Sequence, residues 1–331
     1  MRFRFSGPRA PFTRALALTV IALACLSGVA HAEKYPSRPV RLVLPFSAGG
    51  TTDVPGRVLA QRLSVLLGEQ FFVDNRPGAG STIGTGYVAK AKPDGYTLLL
   101  MSPTHVIAPH LYKSVEYDAL KDFTPVAKFA SGAYVVVAHP SLGVKTLPEL
   151  IALAKAHPDQ IDFASSGNGS TQHLVGALFA SMAGIRINHI PYRGSGPATE
   201  DLVAGHVKLG FAGTPIAIPQ IKSGHLLALA VTTPNRIAEL PDVPTVAEAG
   251  VPGYDATVWL GLLAPAGTPS DIVALLNREM AQALEDPEAR KQIEATGMEI
   301  SLSSPEAFGQ FLRAEYEKWG KVVRASGAAI N

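Results

Sequence analysis

Val40-Arg41-Leu42-Val43-Leu44-Pro45-Phe46-Ser47-Ala48-Gly49-Gly50-Thr51-Thr52-Asp53 sets the grammar of this chain. A short Val/Leu run is followed by a loop of small residues, and an amphipathic segment then runs from Asp53 to Leu67. That order predicts a buried strand turning into a helix, one βα unit. The pattern returns at Ala133 to Ala138 before Leu147 to Ala156, at Ile161 to Ala164 before Thr171 to Ala183, and at Ile187 to Pro191 before Pro197 to Val203. A further apolar run, Tyr96 to Met101, leads into Ser102-Pro103-Thr104-His105. Apolar runs without polar alternation, separated by helical periods, are strands covered on both faces, so the fold class is α/β.

Beyond the last of these units, Leu240 to Gly267 is dense in Pro and Gly and predicts a long irregular crossing. Two amphipathic helices follow, about Pro269 to Leu284 and Pro305 to Ser326. They cannot form a core alone and are expected to dock on the N-terminal units. The predicted organisation is therefore a discontinuous first lobe of residues 33–131 plus 256–331 and a second lobe of residues 132–255. Two crossings, near 131 and near 256, act as a hinge. Ligand chemistry in such a fold belongs at the carboxyl ends of the strands, between the lobes.

The N-terminus carries Arg2, Arg4, Arg9 and Arg14, an apolar run from Ala15 to Ala30, and Ala30-His31-Ala32. These are the parts of a secretory leader cleaved after Ala32, and the apolar run is shorter than the roughly 20 residues that span a bilayer. Cys25, the single cysteine, lies inside that leader, so the mature chain is expected to have neither disulfides nor thiol chemistry. The full chain has 29 basic and 27 acidic side chains, and the four arginines leave with the leader. A mature protein near neutrality argues against nucleic acid as a partner.

Two loops carry the strongest chemical signal. In Phe46, Ser47, Ala48, Gly49, Gly50, Thr51 and Asp53, small residues let the backbone turn tightly at the mouth of a helix, where unpaired N–H groups and a positive partial charge suit an anion. The plainer reading is a capped turn, with Asp53 as the capping residue. Ser165-Ser166-Gly167-Asn168-Gly169-Ser170-Thr171 repeats the arrangement in the other half of the chain. A matched pair on opposite lobes has the parts to hold both ends of a dicarboxylate. Neither loop contains Lys or Arg, so backbone amides and helix N-termini are expected to meet the charge. Ser102 and His105 fall at the same strand-end crevice, where ligand contact and helix capping are both open to them. Arg193, in Tyr192-Arg193-Gly194, is placed either to pair with a carboxylate or to bridge the lobes.

Signals for catalysis are missing from the sequence: there is no G-x-S-x-G elbow, no H-E-x-x-H and no G-K-[ST] phosphate loop. Asn75-Arg76-Pro77-Gly78-Ala79-Gly80-Ser81 misses the dinucleotide fingerprint and reads as a positioning loop. The expectation is a binding protein, not an enzyme, with no cofactor and no metal. A secreted α/β enzyme acting on a small carboxylate, or a ligand-sensing partner of a signalling protein, is the alternative.

Six short motifs in order sharpen this: Pro45 to Asp53, Asn75 to Gly80, Lys92-Pro93-Asp94-Gly95-Tyr96-Thr97-Leu98, Tyr192-Arg193-Gly194, Leu240-Pro241-Asp242-Val243-Pro244-Thr245 with Glu248-Ala249-Gly250, and Ala264 to Pro269. Together they resemble the substrate-binding receptors of tripartite tricarboxylate transporters, the Bug family, over essentially the whole mature chain. The resemblance implies a two-lobed type II periplasmic binding fold, a Venus flytrap. It also implies a small organic anion held mainly by the first βα loop of each lobe, and integral membrane transporter subunits as partners. Carried over residue by residue, the binding loops fall on Phe46 to Asp53 and Ser165 to Thr171, with Ser102 and His105 on a third. A periplasmic monomer is expected.

Overall fold

The computed structural model describes Met1 and residues 34–46, 48, 52–192 and 194–326. The expected leader with its cleavage point, and Ser47, Gly49, Gly50, Thr51 and Arg193, lie outside the described residues. The chain divides after Ser37 into an N-terminal unit and a second unit beginning at Arg38, to which every element below belongs.

The first sheet takes β1 (Val40–Leu44), β2 (Phe71–Asn75), β3 (Thr97–Met101) and β4 (Phe123–Gly132) from the N-terminal part. It takes β10 (Val258–Pro265) and β11 (Met298–Ile300) from the tail, in the order β11-β4-β10-β3-β1-β2. β1 runs parallel to β2 and β3, and β10 is antiparallel between β3 and β4. The second sheet comprises β5 (Tyr134–Ala138), β6 (Asp162–Ser165), β7 (Asn188–Pro191), β8 (Leu209–Gly213) and β9 (Leu227–Val231), ordered β7-β6-β8-β5-β9. Here β6 is parallel to β7 and β8, and β5 is antiparallel to β8 and β9. Leu42 to Leu44, Leu98 to Met101 and Val135 to Ala138 are fully buried, as the unbroken apolar runs require.

The helices on the first sheet are α1 (Asp53–Leu67), α2 (Thr82–Ala89) and α3 (Thr104–Leu111). Those following strands of the second are α4 (Leu147–Ala156), α5 (Thr171–Ala183), α6 (Ser195–Val203) and α7 (Thr214–Lys222). The tail adds α8 (Ser270–Glu285), α9 (Pro287–Glu294) and α10 (Pro305–Ser326). Side-chain caps start α4 and α5, where Thr146 accepts from the Glu149 amide and Ser170 from the His173 amide. α1 and α5 stop at Gly68 and Gly184, both left-handed.

One expectation is corrected. The Pro/Gly-rich stretch 240–267 is not irregular throughout, because it contains β10, a central strand of the first sheet. Gly261 sits mid-strand because a Cβ there would lie 2.2 Å from Cζ of Phe308, on α10. The missing side chain lets α10 settle onto the sheet. α10 packs its buried face, Phe308, Leu312, Glu315, Trp319 and Val323, against α3 and β4, and it also touches α5 beside the second sheet.

The chain passes between sheets twice. Only Ala133 separates β4 from β5, and the return runs from β9 to β10 through residues 232–257. Thr232, fully buried, ties the two passages together. Its hydroxyl accepts from the Tyr134 amide at 2.9 Å and donates to the Ala256 carbonyl at 3.2 Å, and its backbone adds bonds to the same two residues. Thr232→Val keeps the shape and strands both side-chain partners. We expect it to lower unfolding free energy by about 1–3 kcal/mol in urea titration.

Candidate functional site

Parallel pairing decides which loops meet. β1 and β3 are in register at Leu42–Leu98 and Val43–Leu99, so the loop that leaves Leu44 and the loop that leaves Met101 emerge side by side. In the second sheet Ser165 is paired with Pro191, and the Tyr192 amide donates to the Ser165 carbonyl at 3.0 Å. The loop 165–171 therefore lies against the segment that leads into α6. Both loops open on helix N-termini, where backbone N–H groups lack intrahelical partners.

In the first loop, the described residues show how its entrance is held. α1 begins at Asp53, and Thr52 before it makes no side-chain cap. Among the described residues the capping bond expected of Asp53 is not formed: the carboxylate sits inside the first turn and engages Arg57 and Asn75. Arg57, one turn on, grips it with Nε at 2.9 Å and Nη2 at 3.1 Å. Asn75 Nδ2 donates to Asp53 Oδ1 at 3.0 Å and to the Phe46 carbonyl at 3.1 Å, while Arg57 Nη2 donates to Asn75 Oδ1 at 2.8 Å. Asp53, Arg57 and Asn75 thus form a closed network that fixes the backbone at Phe46 to the end of β2. Phe46 is half-buried against the core, and Ala48 is exposed.

Asp53→Ala and Asn75→Ala are each expected to cost about 1–3 kcal/mol. The double variant should lose clearly less than their sum, since each removes the other's partner. A denaturant double-mutant cycle reads this directly.

The second loop is organised more tightly. Gly167 (φ +135°) and Gly169 (φ +71°) take backbone conformations that side chains disfavour. Ser165 is fully buried; its hydroxyl accepts from the Gly167 amide at 3.1 Å and is bonded to His189 Nε2. The Ser166 amide donates to Gln172 Oε1 at 2.8 Å, the Gly169 amide to His173 Nδ1 at 3.1 Å, and the Ser170 amide to the Gly167 carbonyl at 3.2 Å. Four loop amides are thus committed inward. This narrows the expectation of a continuous amide cradle: the amides left to a ligand lie at Asn168 and at Thr171, at the head of α5. Ser170 spends its hydroxyl on the helix cap. Burial pushes the Tyr134 phenol up to about 12, opposed by the Thr171 side chain at the head of α5.

The third group is split. Ser102 is nearly buried with its hydroxyl 3.1 Å from that of Thr104. His105 does not face the crevice, contrary to the expectation for it. Its ring has no exposure, Nε2 is bonded to the Ala119 carbonyl at 2.8 Å, and Phe123 packs edge-on at 4.9 Å. Burial pulls its pKa down to about 4, so it is a neutral core group. Among the described residues no cluster of three metal-ligating side chains occurs, and no helix is long and apolar enough to cross a membrane.

Sequence reasoning placed the loops but missed what fixes them. Arg57 was discoverable as the i+4 partner of Asp53. Asn75 stood in the loop read as a positioning loop, without its partners, while His189, Tyr134 and Thr232 are brought in by chain path and leave no local signal.

Known proteins resemble this chain in sequence and in fold. The sequence model of the family described as tripartite tricarboxylate transporter family receptor matches residues 56–328. Protein BugT of Bordetella pertussis is 40% identical over 322 residues, covering 96% of this chain and 99% of that protein. A solved R. palustris protein bound to adipate is 38% identical with a TM-score of 0.75, covering 88% of this chain and 98% of its own. MatC from Rhodopseudomonas palustris, solved with bound malate, is 33% identical with a TM-score of 0.73, covering 87% of this chain and 100% of its own.

Proposed function

Because the chain belongs to the tripartite tricarboxylate transporter receptor family, a family of solute-binding receptors with a two-lobed α/β fold, we propose that it captures a small carboxylate between its lobes. It then delivers that anion, unchanged, to integral membrane transporter subunits. In this reading the lobes are residues 33–131 with 256–331, and residues 132–255. The first supplies the loop 46–53 and Ser102, and the second supplies Asn168 and Thr171 with Arg193 as an auxiliary cation. The protein works as a periplasmic monomer after loss of its leader.

The observation that supports the reading most is the matched pair of loops, each leaving a parallel strand and opening on a helix N-terminus, one per sheet. Two anion-ready ends suit a molecule with two carboxylates, and the two relatives solved with malate and with adipate hold such molecules. The test is a thermal-shift and calorimetry screen of the mature protein against C4 to C6 dicarboxylates, with amino acids and neutral sugars as controls. A true ligand at 100 times its Kd adds about 2.7 kcal/mol to stability. Binding confined to the neutral controls, or turnover of an acid without a stable complex, overturns the reading.

A further inference from the structure

His173, in the first turn of α5, and His189, on β7, lie ring on ring with centroids 3.7 Å apart and planes 4° apart. Each also holds one side of the loop 165–171. His173 Nδ1 accepts from the Gly169 amide at 3.1 Å, and the Ser165 hydroxyl accepts from the Gly167 amide and donates to the Gly167 carbonyl, both at 3.1 Å, which leaves His189 Nε2 to donate to it. The two glycines so anchored are ones with positive φ, a region that glycine enters freely and other residues disfavour.

We propose that this stacked imidazole pair is the positioning element of the loop 165–171, holding it in its ligand-ready shape only while His173 is neutral. The inference rests on the reading of that loop as a ligand loop. An amide hydrogen already points at His173 Nδ1, so that nitrogen must present its lone pair and the ring proton must sit on Nε2. A second proton would go onto Nδ1, place hydrogen against hydrogen, and release Gly169. A charge on one ring also opposes a charge on the other across the stack.

Among the described residues no carboxylate is bonded to either ring. Phe163 of β6 packs against both rings, at 5.1 Å from His189 and 6.4 Å from His173. The cavity of about 450 Å³ beside them is lined by Asp159 and Arg186, which pair with each other at 2.8 Å, and by Asn188, which is bonded to Asp162 of β6. α10 contributes only Ala325 and Ser326 there. Burial lowers the pKa of both rings, and for His189, to about 4, the neighbouring His173 lowers it further. The loop is therefore held at neutral pH and released in acid.

The experiment is amide-exchange NMR on the ligand-free mature protein between pH 7 and pH 4, with the imidazole signals followed in the same samples. Protection of the Gly167 and Gly169 amides is expected to fall at least tenfold as the pair takes up a proton, while amides of the β6–β8 ladder hold theirs. In the variant combining His173→Asn with His189→Gln, which puts amides that do not titrate in place of both rings, the response should shrink to less than twofold. If the rings titrate and the glycine amides do not respond, or if the variant responds like the parent, the proposal is wrong. Calorimetry on the parent against the C4 to C6 dicarboxylates separates the two readings. A pH-responsive loop in a protein that binds none of them supports the positioning role and sinks the carboxylate reading. Binding of one of them with an unresponsive loop does the reverse.

Discussion

Glu315→Ala is expected to lower unfolding free energy by about 3–5 kcal/mol, the range for removing one partner of a buried ionic group. Glu315 is 5% exposed in the middle of α10. Its Oε2 accepts from Trp319 Nε1 at 2.9 Å and, at a longer 3.4 Å, from Trp259 Nε1 on β10, and it is paired with Lys318. Lys318 in turn donates to the Asp255 carbonyl at 3.1 Å, at the end of the second crossing. One carboxylate thus joins the tail helix, the central strand of the first sheet and the passage between lobes. Alanine leaves two fully buried indole N–H groups without an acceptor and a cation without its counter-charge. Glu315→Gln keeps an oxygen for the indoles and should lose less than half as much. The chain's two tryptophans are these two, so a urea titration followed by tryptophan emission watches the site itself. A loss below 1 kcal/mol for the alanine variant would mean the carboxylate does not organise this junction.

The βα units were legible because period and caps agree. The bounds read for Asp53 to Leu67, Leu147 to Ala156, Thr171 to Ala183 and Pro305 to Ser326 are those of α1, α4, α5 and α10. Where tertiary contact overrides propensity, the reading failed. α2, Thr-Ile-Gly-Thr-Gly-Tyr-Val-Ala, has two glycines and no polar-apolar period, and its first half is shaped by packing. A Cβ on Gly84 would lie 2.7 Å from the Arg76 carbonyl and 2.8 Å from Pro45. The same applies to β10, inside the stretch read as an irregular crossing: its Gly261 leaves room that Phe308 fills.

At the site, the loops themselves were readable, since small residues after an apolar run have few other uses. The direction of side chains was not. Position at a strand end says where His105 is but not which way it turns. The segment from Tyr117 to Phe123, which supplies its hydrogen bond and its aromatic walls, is set by chain path and not by local sequence. The inward commitment of the second loop's amides depends likewise on Gln172, His173 and Ser165 folding back onto it, and a pattern of small residues cannot distinguish that from amides facing a ligand.

Acid should destabilise the protein in a window that belongs to histidine. In the unfolded chain a histidine titrates near pH 6.5, whereas His105 in the fold is pulled to about 4, chiefly by burial and only partly offset by its bond to Ala119. Between those values the unfolded state binds more protons, so stability rises with pH. The contribution is complete above about pH 6.5 and is lost as pH falls towards 4. A shift of that size in a fully buried group corresponds to about 3 kcal/mol. His173 and His189, also lowered by burial, act in the same direction. Carboxylates held low in the fold, such as Asp118, lose their contribution only as pH falls through the acid end, below their unfolded values near 4, so the interval from 6.5 to 4.5 isolates the imidazoles. Urea midpoints measured across that interval should fall steadily, and the slope should flatten in His105→Leu whatever that variant's absolute stability. An unchanged slope in the variant would show that His105 takes up its proton without opening the core.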